Sequence, residues 1–195
     1  GILYVAAYAR KYGFGQWRII DNDVIEDNRP VRDLIDQIAW ADIVALTGTT
    51  AQCKQEMEVA AVAKSMSNSK LVVYGGPHAT PAWRETLDMS DVDIVVRGEG
   101  EVTFLELLQA IQNGQDLFTI DGLAFRDANR ISVKTKTRHR KFDLDEIPFP
   151  ARDLVPTERY GDRPLVRFST DERYAHLMMT RGCTDKCEFC NTPNN

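Results

Sequence analysis

Three short runs constrain this fold more than any other feature. Ile43 to Leu46, Leu71 to Tyr74 and Ile94 to Val96 carry hydrophobic side chains at every position. A strand with one wet face alternates apolar and polar residues, whereas one buried on both faces does not. Each run closes on small or turn-forming residues: Thr47-Gly48-Thr49-Thr50, Gly75-Gly76-Pro77 and Arg97-Gly98-Glu99-Gly100. Gln52 to Ser67 has the composition of a good helix. Phe104, Leu107, Leu108 and Ile111 form a helical stripe that Gly114 stops. Strands alternating with helices in this way predict an α/β fold built on a parallel sheet with crossover helices. The right-handed crossover rule makes it doubly wound, in three layers. Ligands of such sheets sit beyond the carboxyl ends of the strands, which is where the three loops lie.

The flanks read differently. Ile2 to Tyr12 predicts a helix broken by Gly13 and Gly15, and Trp17 to Ile20 a short strand ending at Asp21-Asn22-Asp23. Val31, Leu34, Ile35 and Ile38 fall at helical spacing. Gly1 to Ala9 is apolar, but Arg10 and Lys11 follow it instead of preceding it, so it is not a signal peptide. A chain that opens on Gly inside a helical pattern looks cut from something longer.

Downstream, Gly122 to Arg126 and Ile131 to Lys134 flank Asp127-Ala128-Asn129 as a hairpin. Lys134 to Lys141 carries five basic residues and reads as a solvated linker rather than a phosphate-binding patch. Phe142 to Pro156 holds three prolines, so it cannot be helical throughout. Ala175 to Thr180 reads as a new strand. The expected division is an α/β domain over 1–128, a hairpin and Pro-rich linker over 129–170, and the start of a second domain over 171–195.

Net charge is −5, from 24 basic and 29 acidic residues, which argues against bulk nucleic-acid binding. No apolar run approaches the ~20 residues of a membrane helix. Three of the four cysteines fall within eight residues, a pattern of metal or cluster binding in a reducing compartment such as the cytoplasm.

Those three are Cys183, Cys187 and Cys190, spaced C-x3-C-x2-C with Phe189 before the last. Thiolates ligate both zinc and iron–sulfur clusters, so residue type alone leaves the metal open. Zinc sites want four ligands in paired units, and ferredoxin runs supply four cysteines with other gaps. The fourth cysteine, Cys53, lies far upstream in a helical stretch and reads as a small buried hydrophobe.

C-x3-C-x2-C with an aromatic before the last Cys resembles the motif of the radical S-adenosylmethionine (radical SAM) enzymes. The resemblance implies a [4Fe-4S] cluster on the three thiolates, with S-adenosylmethionine chelating the fourth iron. One electron then cleaves the sulfonium to methionine and a 5′-deoxyadenosyl radical. It also implies a reductant such as flavodoxin or ferredoxin, and a partial βα barrel whose first strand precedes the cluster loop. Such a barrel needs on the order of 200 further residues, and five follow Cys190. The fragment by itself is expected to be inactive.

A doubly wound domain ahead of that motif resembles the cobalamin-binding subclass. Gly1 to Tyr12 resembles its first helix, and Asp143 to Asp153 its linker into the barrel. The expected cofactor-binding residues lie in the three loops: Thr47, Gly48 and Thr49; Gly75, Gly76, Pro77 and His78; Gly98, Glu99 and Gly100, with Phe189 beside the cluster. Glycines allow backbone to approach a flat corrin edge and the nucleotide tail, because no Cβ intervenes. A threonine hydroxyl can donate to the tail. His78 reads as a loop residue making ordinary hydrogen bonds rather than as a metal ligand. Glu99 and Glu101 suit the N-terminus of a helix, where carboxylates meet the positive end of the dipole. The family's first strand should precede Gly1, which leaves the lower cobalt ligand open.

The implied activity is methyl transfer to an unactivated carbon of a small-molecule substrate. Oxidative cyclisation or rearrangement is the alternative within the family. Outside it stands a non-catalytic flavodoxin-like binding module with a zinc-binding or electron-transfer tail.

Overall fold

The computed structural model describes residues 1–21, 34–139, 143–157, 180–183, 185, 187, 188 and 190. Helix α1 spans Ile2–Lys11 and α2 Ile35–Trp40. Strand β1 (Ile43–Thr47), helix α3 (Cys53–Met66), β2 (Leu71–Gly75), α4 (Trp83–Met89) and β3 (Ile94–Val96) follow in strict alternation. Helix α5 (Gly100–Asn113) leads to β4 (Leu123–Arg126) and β5 (Ser132–Lys134). The five strands form one sheet in chain order, parallel from β1 to β3 and antiparallel from β3 to β5.

Strand alternation sorts side chains between two cores, since successive residues point to opposite faces. Val44, Val72, Tyr74, Val95 and Ala124 meet Ile38 of α2, Val59, Ala60 and Ala63 of α3, and Leu87 of α4. Val73, Ile94, Val96, Leu123 and Phe125 meet Phe104, Leu107 and Ala110 of α5, with Val5 of α1 against them. Hydrophobic residues on both faces therefore give the three layers that the unbroken runs predicted. Each fully buried large side chain contributes roughly 1.5–3 kcal/mol. Gly114 ends α5 as expected, at φ +63° with its N–H donating to Ala110 O, a left-handed C-cap that favours glycine.

Several expectations need correction. Trp17 to Ile20 forms no strand: Trp17 packs on Phe104 and Ile19 joins Ala6, Ala7 and Ala151. Its apolar side chains are taken up by α1 and α5, so β-favouring composition finds no ladder. Helix α4 carried no clear periodic signal and was not anticipated. The hairpin turns on Asp127, whose Oδ1 accepts from the N–H groups of Asn129 and Ile131. It belongs to the main sheet, which runs past residue 128 to Lys134. The basic stretch is not wholly solvated either. Arg138 pairs with Glu106 and donates to Thr103 Oγ1 at 2.8 Å and to Asp121 O at 3.2 Å. Val31 and residues 175–179 of the expected strand lie outside the described residues.

The Pro-rich segment runs back along α1 with two single turns of 3-10 helix, Leu144–Glu146 and Arg152–Leu154. Ala151 N–H donates to Leu3 O at 3.1 Å, and Arg10 pairs with Asp153 at 2.7 Å. Among the described residues no helix is long and apolar enough to cross a membrane.

Candidate functional site

The loops after β1, β2 and β3 converge on one cleft of about 230 Å³ at the carboxyl end of the parallel strands. Its floor is strand: Ala45, Leu46, Val73 and Val96. Its rim holds Thr47, then Gly75, Gly76 and Pro77, then Gly98, Glu99, Gly100 and Glu101. Val5, Trp17 and Phe104 close the side toward α1 and α5. Seven of the expected cofactor-binding positions therefore meet at one place.

Two glycines hold tight places in these loops. Gly76 has φ +100°, and a Cβ on it would stand 2.6 Å from Thr47 Oγ1. A Cβ on Gly48 would stand 2.0 Å from Glu56 Oε1. The β2 loop thus packs closely on the Thr47 side chain, and the β1 loop on the Glu56 side chain.

The hydrogen bonds that set the rim were not legible beforehand. Thr80, lining the cleft and 8% exposed, donates from Oγ1 to Gly76 O at 3.0 Å. The same oxygen accepts from Gly98 N–H at 3.1 Å. One hydroxyl therefore staples the β2 loop to the β3 loop. A threonine two residues past the Gly-Gly-Pro-His stretch has no distinguishing spacing, so only the fold exposes its role.

Other expected residues turn elsewhere. Thr49 folds back on Gln52 Oε1, by its N–H at 2.9 Å and by its hydroxyl. His78 Nδ1 pairs with Thr50 Oγ1 at 3.1 Å and its ring faces Tyr74 at 6.2 Å, away from the cleft lining. Beneath these loops lie Glu56 and Tyr74. The Glu56 Oε2 and the Tyr74 hydroxyl are buried without a hydrogen-bond partner of good geometry among the described residues. Burial pushes the Glu56 carboxyl and the Tyr74 phenol upward. The Cys53 thiol is also raised, first by burial and then by the Glu56 charge. That thiol is held in its unreactive protonated form.

At the far rim, Glu99 caps α5 in extended conformation and Glu101 sits in its first turn. Helix-dipole contact was the expected role, and the larger partner is Arg181. Its Nη1 lies 2.9 Å from Glu99 Oε2 and 2.6 Å from Glu101 Oε1. The guanidinium also stands over the Tyr4 ring at 4.9 Å. Burial alone lowers a guanidinium's pKa; here Glu101 and then Glu99 outweigh it and the net shift is upward.

Arg181 stands two residues before Cys183. Cys183 and Cys187 are exposed and Cys190 half-buried; Phe189 lies outside the described residues. Asp185 N–H donates to Cys183 Sγ at 3.4 Å, and Cys190 N–H to Cys187 O at 3.0 Å. Among the described residues no three His, Cys, Asp or Glu side chains are gathered as a metal-holding group. Three thiols, one with an N–H aimed at its sulfur, suit an iron–sulfur cluster as donors. The cleft suits cobalamin in a similar, partial sense. It is smaller than the ~300–1,000 Å³ that encloses a drug-sized ligand, so it would enclose only part of a molecule as large as cobalamin.

Comparison with known proteins agrees. The B12 binding domain family matches residues 1–108. An uncharacterized methyltransferase of Pyrococcus horikoshii is 35% identical over 152 residues, 77% of this chain and 31% of that protein. The anaerobic magnesium-protoporphyrin IX monomethyl ester cyclase of Cereibacter sphaeroides is 30% identical over 195 residues, 97% of this chain and 30% of that one. The chain thus spans under a third of the length of these curated relatives. The solved structure of the cobalamin-dependent S-adenosylmethionine radical enzyme OxsB with aqua-cobalamin matches with a TM-score of 0.66. It is 19% identical and covers 78% of this chain and 21% of that one, a likeness of fold. With three loops closing on one cleft and the family match spanning more than half its length, this chain belongs to the B12-binding domain family and resembles the cobalamin-binding radical SAM enzymes.

Proposed function

We propose that this chain holds cobalamin and part of the cluster site of a radical SAM enzyme that transfers a methyl group to an unactivated carbon of a small molecule. The observation that carries the reading is the cleft itself. Three successive strand-end loops, two with glycines in tight places, meet around an apolar floor.

The chain's residues divide the work. Val73, Val96 and Phe104 exclude water from the inserted part of the ligand, and Thr47 presents a hydroxyl at the mouth. Thr80 fixes the spacing between two loops, so the rim is set before the ligand arrives and less ordering entropy is lost on binding. Cys183, Cys187 and Cys190, as thiolates, would hold the cluster. When bound, the cluster would supply the electron that makes a carbon-centred radical from S-adenosylmethionine, and cobalamin would supply a transferable methyl. The α/β unit precedes the Pro-rich segment and the cysteine segment, 171–195, begins the second domain. The reductant would be a flavodoxin or ferredoxin in a reducing compartment.

The cyclase reading is the second, because the Cereibacter relative aligns with nearly the whole chain at 30% identity. The test is anaerobic purification of the full-length protein, titration with hydroxocobalamin and metal analysis. One cobalamin and about four irons per chain are expected. Folded protein that ignores cobalamin, or that retains zinc in place of iron, overturns the proposal. Deuterium transfer from labelled S-adenosylmethionine methyl to product separates methyl transfer from cyclisation.

A further inference from the structure

We propose that Arg181 is a positioning residue that seats the cysteine segment on the rim of the cleft. The segment around it is open: Gly182, Cys183, Asp185, Cys187 and Glu188 are all exposed. Arg181, by contrast, has its side chain 9% exposed and locked by two carboxylates and the Tyr4 ring. The next residue, Gly182, has φ +91°, a left-handed conformation that favours glycine. The chain therefore goes in at Arg181 and turns at Gly182. It emerges with Cys183 exposed.

The other side of the contact supports the same role. Glu101 is 3% exposed, and an ionised carboxylate buried that deep is costly without a partner against it. Arg181 is that partner, and Glu99, a cleft-lining neighbour, shares it. Both carboxylates stand at the start of α5, so the seat and the rim are built from the same turn. A guanidinium suits the position because its plane covers Tyr4 while Nη1 reaches both acids. The distance between the two cofactor regions is then fixed through one side chain. The seat stands on the geometry; the purpose given to it rests on reading the three cysteines as cluster thiolates.

The test compares wild-type full-length protein with Arg181→Ala, Arg181→Lys and Glu99→Gln. Hydrogen exchange is measured over residues 180–190 and over β1 to β3, before and after anaerobic loading with iron, sulfide and hydroxocobalamin. Arg181→Ala should speed exchange at 180–190 by at least about tenfold while leaving the strands unchanged. Arg181→Lys should fall between the two, and Glu99→Gln should loosen the segment least. In the loaded protein, spin–spin broadening of bound cobalt(II) by the reduced cluster should weaken in the same order. Unchanged exchange and broadening in Arg181→Ala, or loosening spread evenly through the sheet, overturns the proposal. If Arg181→Ala does not fold, the Lys and Gln variants carry the same comparison. Wild-type protein that takes up neither group defeats the functional reading alone, since exchange without cofactors still decides the seat.

Discussion

Gly76→Ala separates a steric reading of the cleft from a merely conformational one. At φ +100° any L side chain strains the backbone by roughly 1–2 kcal/mol. The added Cβ would also stand 2.6 Å from Thr47 Oγ1, far inside contact distance. Turning Thr47 off its rotamer to relieve that adds about 0.5–1.5 kcal/mol. The total is about 1.5–3.5 kcal/mol. Gly114→Ala is the internal control, because Gly114 also has positive φ, +63°, but a Cβ there meets nothing within 4 Å. It should cost only the backbone share. Denaturant unfolding followed by tryptophan fluorescence, together with hydroxocobalamin titration, reads both effects. Gly76→Ala should be less stable than Gly114→Ala by about 1 kcal/mol. It should also bind cobalamin at least about tenfold more weakly, whereas Gly114→Ala binds normally. Adding Thr47→Ala should remove the excess stability cost. Equal costs for the two alanines, or no recovery in the double variant, would refute the steric account.

Other substitutions probe the remaining parts. Thr80→Val removes the hydroxyl between Gly76 O and Gly98 N–H and should cost roughly 1–3 kcal/mol in thermal unfolding, while Thr80→Ser stays near wild type. Alanine at Cys183, Cys187 or Cys190 should abolish iron retention after reconstitution, and Cys53→Ala should leave it intact; iron loss in Cys53→Ala would mean that thiol is a ligand. Glu56 tests a pH dependence. Its carboxyl is raised above 4.5 by burial, so between 4.5 and its folded value the native state holds more protons than the unfolded chain. Its stabilising share is full below 4.5 and is lost as pH rises through the folded pKa. Glu56→Gln should therefore be the more stable protein at pH 8 and show a flatter stability–pH curve. A steeper curve would contradict the buried-acid assignment.

The strands of the parallel sheet, its two-sided burial and the cysteine motif were legible in the sequence. Each follows from local pattern: unbroken hydrophobic runs at Ile43, Leu71 and Ile94, a glycine stop at Gly114, and a cysteine spacing that few chemistries share. Composition at Trp17 to Ile20 was equally β-like, yet no strand formed, because strand formation needs a neighbour and α1 and α5 took those side chains. Tertiary structure alone decided that the hairpin extends the sheet, that Thr80 staples two loops, and that Glu101 is buried against a residue 80 positions away. Periodicity and capping act over a few residues and are written in order along the chain. Hydrogen bonds and ion pairs between loops depend on which strand ends become neighbours, and that is fixed only when the sheet closes.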